Sequence, residues 1–230
     1  MASMKNAQTN FMYAIREVLL VVIGILIAVS INNWNEKRKQ DDQLDNILLT
    51  IKEDLSSDIT KINEILAHYE RLDTIFKNVL ADNYTIDDYE ETPQISFLLL
   101  GYPELSLNKR GFLLLEKFNG HLAESREEIV QEVVEFYNKQ LLEVAVDDEL
   151  RADDFKENFS HWKNNTNWWL DYVQFRVNED FISYAVNDPD YKTRVATAQF
   201  FAYVVYLPEI EKFKDMGEEI ISQIELLVTP

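Results

Sequence analysis

The chain has 230 residues and a hydrophobic content of 47%, which is enough to bury a sizeable core and excludes a wholly disordered protein. Its formal charge of −19 at pH 7 disfavours binding to DNA or RNA, because an acidic surface repels phosphates. It has no cysteine, which excludes disulfides and thiolate metal sites, and only five glycines and five prolines, which favours a helical protein.

The first predicted element is a transmembrane helix that follows a short polar tail, residues 1–10. The sequence has no charge from Val18 to Ile31, and the segment extended back to Ala14 has eighteen residues. In helical form these residues span roughly 27 Å, which nearly matches the roughly 30 Å hydrocarbon core of a bilayer. We therefore predict one membrane-spanning helix over residues 11–34.

Three other interpretations of this segment compete with a membrane anchor. A basic amphipathic surface helix is disfavoured, because the segment has no polar face. A buried core helix is disfavoured, because the segment is apolar on all sides for about four turns. A cleaved signal peptide is the stronger alternative, since Lys5 and Arg16 could form its basic region and Ala28-Val29-Ser30 resembles a cleavage pattern. Against cleavage, the apolar run continues into Ile31 and ends at Trp34.

Polar and aromatic residues at both ends of the segment are predicted to lie at the membrane interface, where tryptophan rings and basic side chains meet the headgroups. These interface residues are Arg16, Glu17, Trp34, Lys37, Arg38 and Lys39. The basic residues on the two flanks are nearly equal in number, so their count does not orient the helix.

Two features inside the segment suggest self-association. Gly24 and Ala28 have the small-residue spacing that lets membrane helices approach closely, so we predict that they pack against another copy. Glu17 lies at membrane depth, where a charge is costly unless it is paired or hydrated. An alternative hypothesis to its interfacial position is that Glu17 faces an oligomer axis and contributes to an ion path.

The segment Tyr13–Ala28, together with Ile31-Asn32-Asn33-Trp34-Asn35-Glu36, resembles the N-terminal signature of an uncharacterised family of small single-span membrane proteins from Bacteroidetes. The resemblance is specific over about thirty residues, and a weaker one covers residues 106–115. It implies a bacterial inner-membrane protein with a cytoplasmic N-terminus and a periplasmic body. It implies no activity, because none is assigned to the family.

A long amphipathic helix is predicted after the membrane segment. Residues 35–43 form a polar connector that contains no helix breaker, so we expect it to be helical. From Leu44 to Leu80 apolar residues recur every three or four positions, over roughly 55 Å of helix. This stripe predicts the core face of an acidic helical-bundle domain, residues 44–230; a coiled-coil seam with sister chains is the alternative.

The middle of the chain is predicted to contain a loop and two helices. Residues 82–103 read as a solvated loop with an acidic cluster, which lacks the ligand spacing of an EF-hand, followed by a short buried segment. A short helix over 111–118 is predicted to end in a left-handed stop at Gly120. Ser125 and Glu128 are predicted to form the capping box of a helix that reaches Asp147 or beyond.

An aromatic group precedes the last helices. Trp162, Trp168, Trp169, Tyr172 and Phe175 are predicted to form the widest layer of the core, with a ligand platform of Trp168, Trp169 and Tyr172 as the alternative. Asn187-Asp188-Pro189-Asp190 predicts a turn and helix N-cap, and Pro208 a kink or restart in the last helical region. We expect the first and last long helices to be neighbours in an extended antiparallel bundle.

The sequence contains no catalytic constellation. Glu157 and His161 could share a helical face, but no local motif supplies further metal ligands, and His68 is interpreted as a surface residue. No Walker loop, dinucleotide fingerprint or nucleophile elbow occurs, so we predict no catalytic, cofactor or metal site.

The predicted fold is all-α, a transmembrane helix that continues into an extended helical bundle. We predict a membrane-anchored, non-enzymatic interaction or scaffold protein that forms homo-oligomers in the bilayer, contacts other membrane proteins and binds no nucleic acid. The alternative is an extracytoplasmic ligand-binding or sensory domain.

Overall fold

The computed structural model describes the backbone of residues 2–228 and the side chains of residues 16–228. Every regular element in this range is helical, which confirms the predicted all-α fold. The helices are α1 (Ala2–Leu80), α2 (Ile86–Glu91), α3 (Pro93–Ser96), α4 (Arg110–Glu116), α5 (Glu124–Asn165), α6 (Trp169–Tyr172), α7 (Glu179–Asn187), α8 (Pro189–Gln199) and α9 (Leu207–Val228), with a π-helical segment over Phe200–Tyr206 between the last two.

Helix α1 is a single rod of 79 residues. At about 1.5 Å per residue it is roughly 118 Å long, and among its described side chains only those from Leu44 onward contribute buried residues to the hydrophobic cores of the body. The predicted connector, residues 35–43, is helical, and the tail predicted over residues 1–10 continues the same helix from Ala2 onward, with Met1 outside the described residues. The apolar segment and the amphipathic stripe are therefore parts of one helix.

The body has two hydrophobic cores arranged along α1. The proximal core, nearer the apolar segment, joins α1 to α4, α5 and α9 and includes Leu48, Val133 and Phe213. The distal core surrounds the end of α1 and is built from α2, α3, α6, α7, α8 and the last turns of α5. Tyr203 of the π-helical segment packs against both cores. The most extensive helix pairing joins α1 to α9, as predicted for the first and last long helices.

Two buried carboxylates of α1 hold the segment around α4 in place. Asp58 accepts hydrogen bonds from the backbone N–H of Asn108 at 2.8 Å and from its Nδ2 at 2.6 Å, and Asp54 accepts one from the Gly111 N–H at 2.7 Å. Burial raises the pKa of the Asp58 carboxyl, although the bonds from Asn108 and Lys61 oppose that effect. These bonds let α4 lie directly against α1.

The capping box predicted at Ser125 was wrong. Helix α5 begins at Glu124 with Ala123 at its N-cap, so Ser125 is already helical and forms no capping box. A capping box occurs instead at Thr85, whose backbone N–H and hydroxyl both donate to Asp88, at 2.7 and 2.8 Å. It opens α2 within the stretch predicted to be a solvated loop.

The predicted left-handed stop at Gly120 was also wrong, because no glycine among the described residues has a positive φ. A side chain at Gly120 would instead collide with the Phe118 ring, so packing explains this glycine. Helix α4 ends at Glu116, close to the predicted helix end.

The turn and N-cap predicted before the last helices are confirmed. The Asp188 side chain accepts a hydrogen bond from the Asp190 N–H at 2.9 Å, and Pro189 occupies the first turn of α8. The irregularity predicted at Pro208 takes the form of the π-helical segment. Leu207 donates its N–H to Ala202, five residues back, and Pro208, which has no N–H, follows in the first turn of α9.

Candidate functional site

The apolar segment of α1 makes no buried contact with the rest of the chain. Its side chains are exposed around the whole helix, with Leu20 at 71% and Ile31 at 60%. Among the described residues, one helix, α1, is long enough and apolar enough to cross a bilayer. None of its most apolar eighteen-residue stretch is buried. Such a surface is unfavourable in water and suits a hydrocarbon solvent.

The predicted packing positions lie on an unobstructed part of this surface. Apart from its chain neighbours and the backbone of its own helix, no heavy atom lies within 4 Å of the point that a Cβ would occupy on Gly24, and Ala28 is exposed one turn later. The face therefore has room for a second helix at close range. Packing of Gly24 and Ala28 against another copy stays a prediction.

The six predicted interface residues are exposed at the two ends of the apolar segment. At the C-terminal end the Arg38 guanidinium lies 5.5 Å from the centre of the Trp34 ring, and Lys39 pairs with Glu36 at 3.1 Å. Together with Lys37 they place a basic and aromatic collar between the apolar segment and the acidic body. Arg16 and Glu17 lie at the other end, and an ion path at Glu17 stays a prediction.

The aromatic group belongs to the distal core. Trp162, Trp168 and Tyr172 are buried, and Trp168 contacts Tyr172 and Phe181 with ring centres 5.4 and 5.1 Å apart. Trp169 is half-buried at the edge of the group. The prediction that Phe175 belongs to this core layer was wrong, because its side chain is 72% exposed. Of the three residues considered as a ligand platform, two have no open ring face, so their geometry is that of a core layer.

A cavity of about 50 Å³ lies where the two cores meet, and we call it the junction cavity. Its walls come from α1, the segment after α3, α5, and the end of α8 with the π-helical segment. Polar side chains at the cavity include His68, Arg151 and Asp154, and apolar ones include Leu72 and Leu99. A water molecule needs roughly 10–15 Å³ of such space, so the cavity is large enough for a few water molecules or for one end of a small ligand.

Arg151 is the most unusual residue in this cavity. Its side chain is only 4% exposed, and its guanidinium stacks on the Tyr206 ring at 3.6 Å. Its Nη2 donates a hydrogen bond to the Pro103 carbonyl at 2.7 Å and lies 3.4 Å from an Asp148 carboxylate oxygen. Nε and Nη1 have no hydrogen-bond acceptor among the described residues. A buried arginine with unused donors is costly, which marks it as a candidate binding residue.

A chain of hydrogen bonds leads from the cavity to the surface of the distal core. Asn158 donates to Asp154 at 3.2 Å and accepts from Arg194 at 2.7 Å, and Arg194 donates to Asp190 at 2.8 Å. The Tyr184 hydroxyl also donates to Asp190, at 2.6 Å. Burial opposes ionisation of Asp190, but the bonds from Arg194 and Tyr184 outweigh it and lower the pKa of that carboxyl. The network fixes the cavity wall formed by Asn158.

The histidines play different parts. His68, interpreted from the sequence as a surface residue, is half-buried at the cavity. Burial lowers the pKa of its imidazole, and the positive charges of Arg71 and Arg151 lower it further. His161 lies 3.7 Å from Asp190 at the surface end of the hydrogen-bond chain. No cluster of metal-ligating side chains occurs in the part of the chain that the structure describes.

Sequence reasoning missed Arg151, although a signal was present. Arg151 stands seven positions after Val144 and four before Phe155, on the stripe of α5 that packs inward. A charged residue within such an apolar stripe indicates a buried polar site.

Asp147, one turn before Arg151 on α5, provides a test of the body's electrostatics. Burial raises the pKa of its carboxyl, and Glu209 and Glu143 raise it further. The folded state therefore favours the protonated form, and ionisation of Asp147 reduces stability as the pH rises through its folded pKa. We expect Asp147→Asn to raise the melting temperature at pH 7–8, and we expect the gain to vanish as the pH falls toward about 4. Thermal unfolding across this pH range measures the effect.

The matched control for this test is Asp153→Asn, six residues along α5. Asp153 is exposed and pairs with Lys156 at 2.9 Å, so its replacement should change the melting temperature little at any pH. A lower melting temperature of Asp147→Asn than of wild type at pH 8 would contradict the expectation.

Comparisons with known proteins add one finding. No curated protein and no solved structure gave a significant match to this chain. A model of a family of unknown function, DUF6090, matches residues 17–100, which run from the apolar segment to the end of the short helices after α1. The match agrees with the predicted resemblance to an uncharacterised family. The chain is thus similar to DUF6090 over its apolar segment, the rest of α1 and one wall of the junction cavity.

Proposed function

We propose that this protein is a single-pass protein of a bacterial inner membrane, which holds a helical interaction body in the periplasm and associates with copies of itself. The observation that carries the proposal is the continuity of α1, whose exposed apolar segment passes into the core of the body without a break. A body built on its own anchor has a fixed orientation to the membrane. Such rigidity suits a scaffold.

The body begins close to the end of the apolar segment. Gln40 accepts a hydrogen bond from the His121 N–H at 3.1 Å, and the Arg126 guanidinium forms two bonds of 2.9 Å with Asp45. Gln40 lies six residues beyond Trp34, roughly 9 Å along the helix. The loop before α5 would therefore lie near the headgroups, with the basic collar between them and the acidic body.

Self-association is supported by the free Gly24 and Ala28 face. Small residues allow close backbone approach in lipid, where helix association depends on packing. A periplasmic body is supported by the resemblance to single-span proteins with that orientation. Contacts with other membrane proteins would use the body's surface, which the rigid α1 presents at a fixed height.

Alkaline washing of native membranes tests anchoring, and amine cross-linking in those membranes tests association, since Lys37 and Lys39 of neighbouring copies would lie close. We expect wild-type protein to stay in the membrane fraction after alkaline washing and to give a homodimer band. Gly24→Ile with Ala28→Ile should reduce that band about tenfold, because bulky side chains separate the helices, while leaving the protein in the membrane.

The control for this double variant is Ile23→Leu with Ile27→Leu, which has the same spacing on a different face and should leave the dimer unchanged. Release of wild-type protein by alkaline washing would contradict anchoring. A monomer alone in the wild type, or an unchanged dimer in the Gly24 and Ala28 variant, would contradict the proposed association.

A second candidate function is ligand binding by the body, and the junction cavity with its buried Arg151 favours it. Helical bundles bind small molecules between facing helices, and this cavity lies between the two cores.

A further inference from the structure

The donors of Arg151 determine what the junction cavity can bind. A guanidinium has two forks for a planar acceptor, Nε with Nη2 and Nη1 with Nη2. One nitrogen of each fork, Nε or Nη1, has no acceptor among the described residues. Either fork could therefore take an oxygen acceptor without breaking a bond to Nε or Nη1. Because the side chain is 4% exposed, bulk water does not satisfy these donors.

The guanidinium is held in one orientation before any ligand arrives. Tyr206 stacks against its face at 3.6 Å, and the rings of Tyr102 and Tyr69 lie 4.9 and 5.6 Å away. The hydrogen bond from Nη2 to the Pro103 carbonyl fixes its rotation within that plane. Stacking engages the face and leaves the edges for hydrogen bonds. A ligand would thus meet a preorganised fork and lose little affinity to ordering it.

The charges around Arg151 limit how much negative charge a bound acceptor can carry. Asp154 lines the cavity, and Asp148 lies 3.4 Å from Nη2. Burial raises the pKa of both carboxyls, and Glu157 near Asp154 and Glu104 near Asp148 raise it further, so each added negative charge on a ligand is costly here. His68 has a lowered pKa and is neutral at pH 7, so it adds no positive charge. A doubly charged phosphate would be repelled more strongly than a carboxylate.

The rest of the cavity is suited to an apolar group. Leu72 and Phe76 of α1, with Leu98 and Leu99 after α3, contribute apolar wall. The enclosed volume of about 50 Å³ holds about two or three heavy atoms, so the rest of a longer chain would extend through the open side of the cavity. A molecule that fits has a charged end and a short hydrocarbon part.

We propose that the junction cavity binds a small amphipathic monocarboxylate, with its carboxylate on Arg151 and its hydrocarbon part against the walls from α1 and the segment after α3. The inference rests on the ligand-binding candidate function and names its ligand class. Ligand binding would join α1, α5 and the π-helical segment, and so connect the two cores.

Calorimetric titration of the full-length protein in detergent tests the ligand class, with butyrate, butan-1-ol and butylamine as probes of equal chain length. We expect butyrate to bind at least roughly tenfold more tightly than butan-1-ol, because a charged hydrogen bond is stronger than a neutral one. Butylamine should not bind, and inorganic phosphate should bind more weakly than butyrate.

Two variants locate the site. Arg151→Met keeps the length and apolar character of the side chain and should lower butyrate affinity at least about tenfold. Ala198→Leu places a larger side chain at the cavity wall and should also abolish binding. Arg110→Met, at an arginine that is 63% exposed, is the matched control and should bind butyrate like wild type.

The outcomes separate the inference from the function on which it rests. Equal affinity for butyrate and butan-1-ol, tighter binding of phosphate, or unchanged butyrate affinity in a folded Arg151→Met would overturn the monocarboxylate and leave a ligand-binding body. Failure of all four probes to bind wild type would overturn both. If Arg151→Met does not fold, the wild-type comparison and Ala198→Leu decide.

Discussion

Replacing Gly111 with alanine is expected to lower the free energy of unfolding of the body by about 3 kcal/mol. A Cβ on Gly111 would lie 2.6 Å from the Ile51 backbone nitrogen and 2.8 Å from its Cα. Backbone atoms cannot yield as a flexible side chain can, so α4 must move away from α1. That movement also stretches the 2.7 Å hydrogen bond from the Gly111 N–H to the buried Asp54. Chemical denaturation measures the loss.

The same substitution at Gly217 is the matched control, with an effect of opposite sign. Gly217 lies inside α9, and a Cβ there would meet Ile59 Cδ1 at 3.5 Å and Leu55 Cδ2 at 3.7 Å, which is ordinary contact. Alanine favours a helix over glycine by about 1 kcal/mol, so Gly217→Ala should stabilise the protein. Both glycines are helical, so intrinsic helix propensity cannot explain a difference. Equal denaturation midpoints of Gly111→Ala and wild type would contradict the close packing of α4 on α1.

The elements that could be predicted from the sequence are those with a local cause. The stripe from Leu44 to Leu80 and the absence of breakers predicted one long helix, and the turn at Asp188 and the irregularity at Pro208 follow from the chemistry of those residues. Signals with several local solutions failed. Ser125 with Glu128 and Thr85 with Asp88 both fit a capping box, and only tertiary packing decides which helix starts there.

The junction cavity could not be predicted, because its walls come from parts of the chain that are far apart in sequence. His68 on α1 and Arg151 on α5 meet only after the bundle forms. The partner of Nη2, the Pro103 carbonyl, lies in a segment with no regular structure. The burial of Arg151 was detectable from its place on an apolar stripe, but its stacking on Tyr206 was not.

The apolar segment of α1 shows the converse. Its composition alone predicts a lipid environment, and the structure adds that the body leaves it uncovered. One helix therefore has two parts that suit different environments. Its N-terminal part suits lipid, and its C-terminal part forms the body's core. A kink between Trp34 and Leu44 would decouple them, and no proline or glycine stands there.

Replacing Trp168 with alanine is expected to lower the free energy of unfolding by about 3–5 kcal/mol, the cost of removing a large buried aromatic side chain. Trp168 is 3% exposed, and its ring centre lies 5.1 to 5.7 Å from those of Phe181, Tyr184, Tyr172 and Trp162. This loss distinguishes a core layer from a ligand platform, because a platform residue would be exposed and its replacement would change the free energy of unfolding little. Denaturation monitored by far-ultraviolet circular dichroism measures it.

The control is Phe175→Ala, at an aromatic residue of the same group that is 72% exposed and touches Phe97 with ring centres 5.6 Å apart. Phe175 has a φ of 56°, a strained conformation that alanine shares, so the substitution removes little burial and leaves the backbone cost unchanged. We expect its unfolding free energy to stay within about 1 kcal/mol of wild type. If Trp168→Ala were equally mild, Trp168 would not be a core residue, and the platform of Trp168, Trp169 and Tyr172 would become the better interpretation.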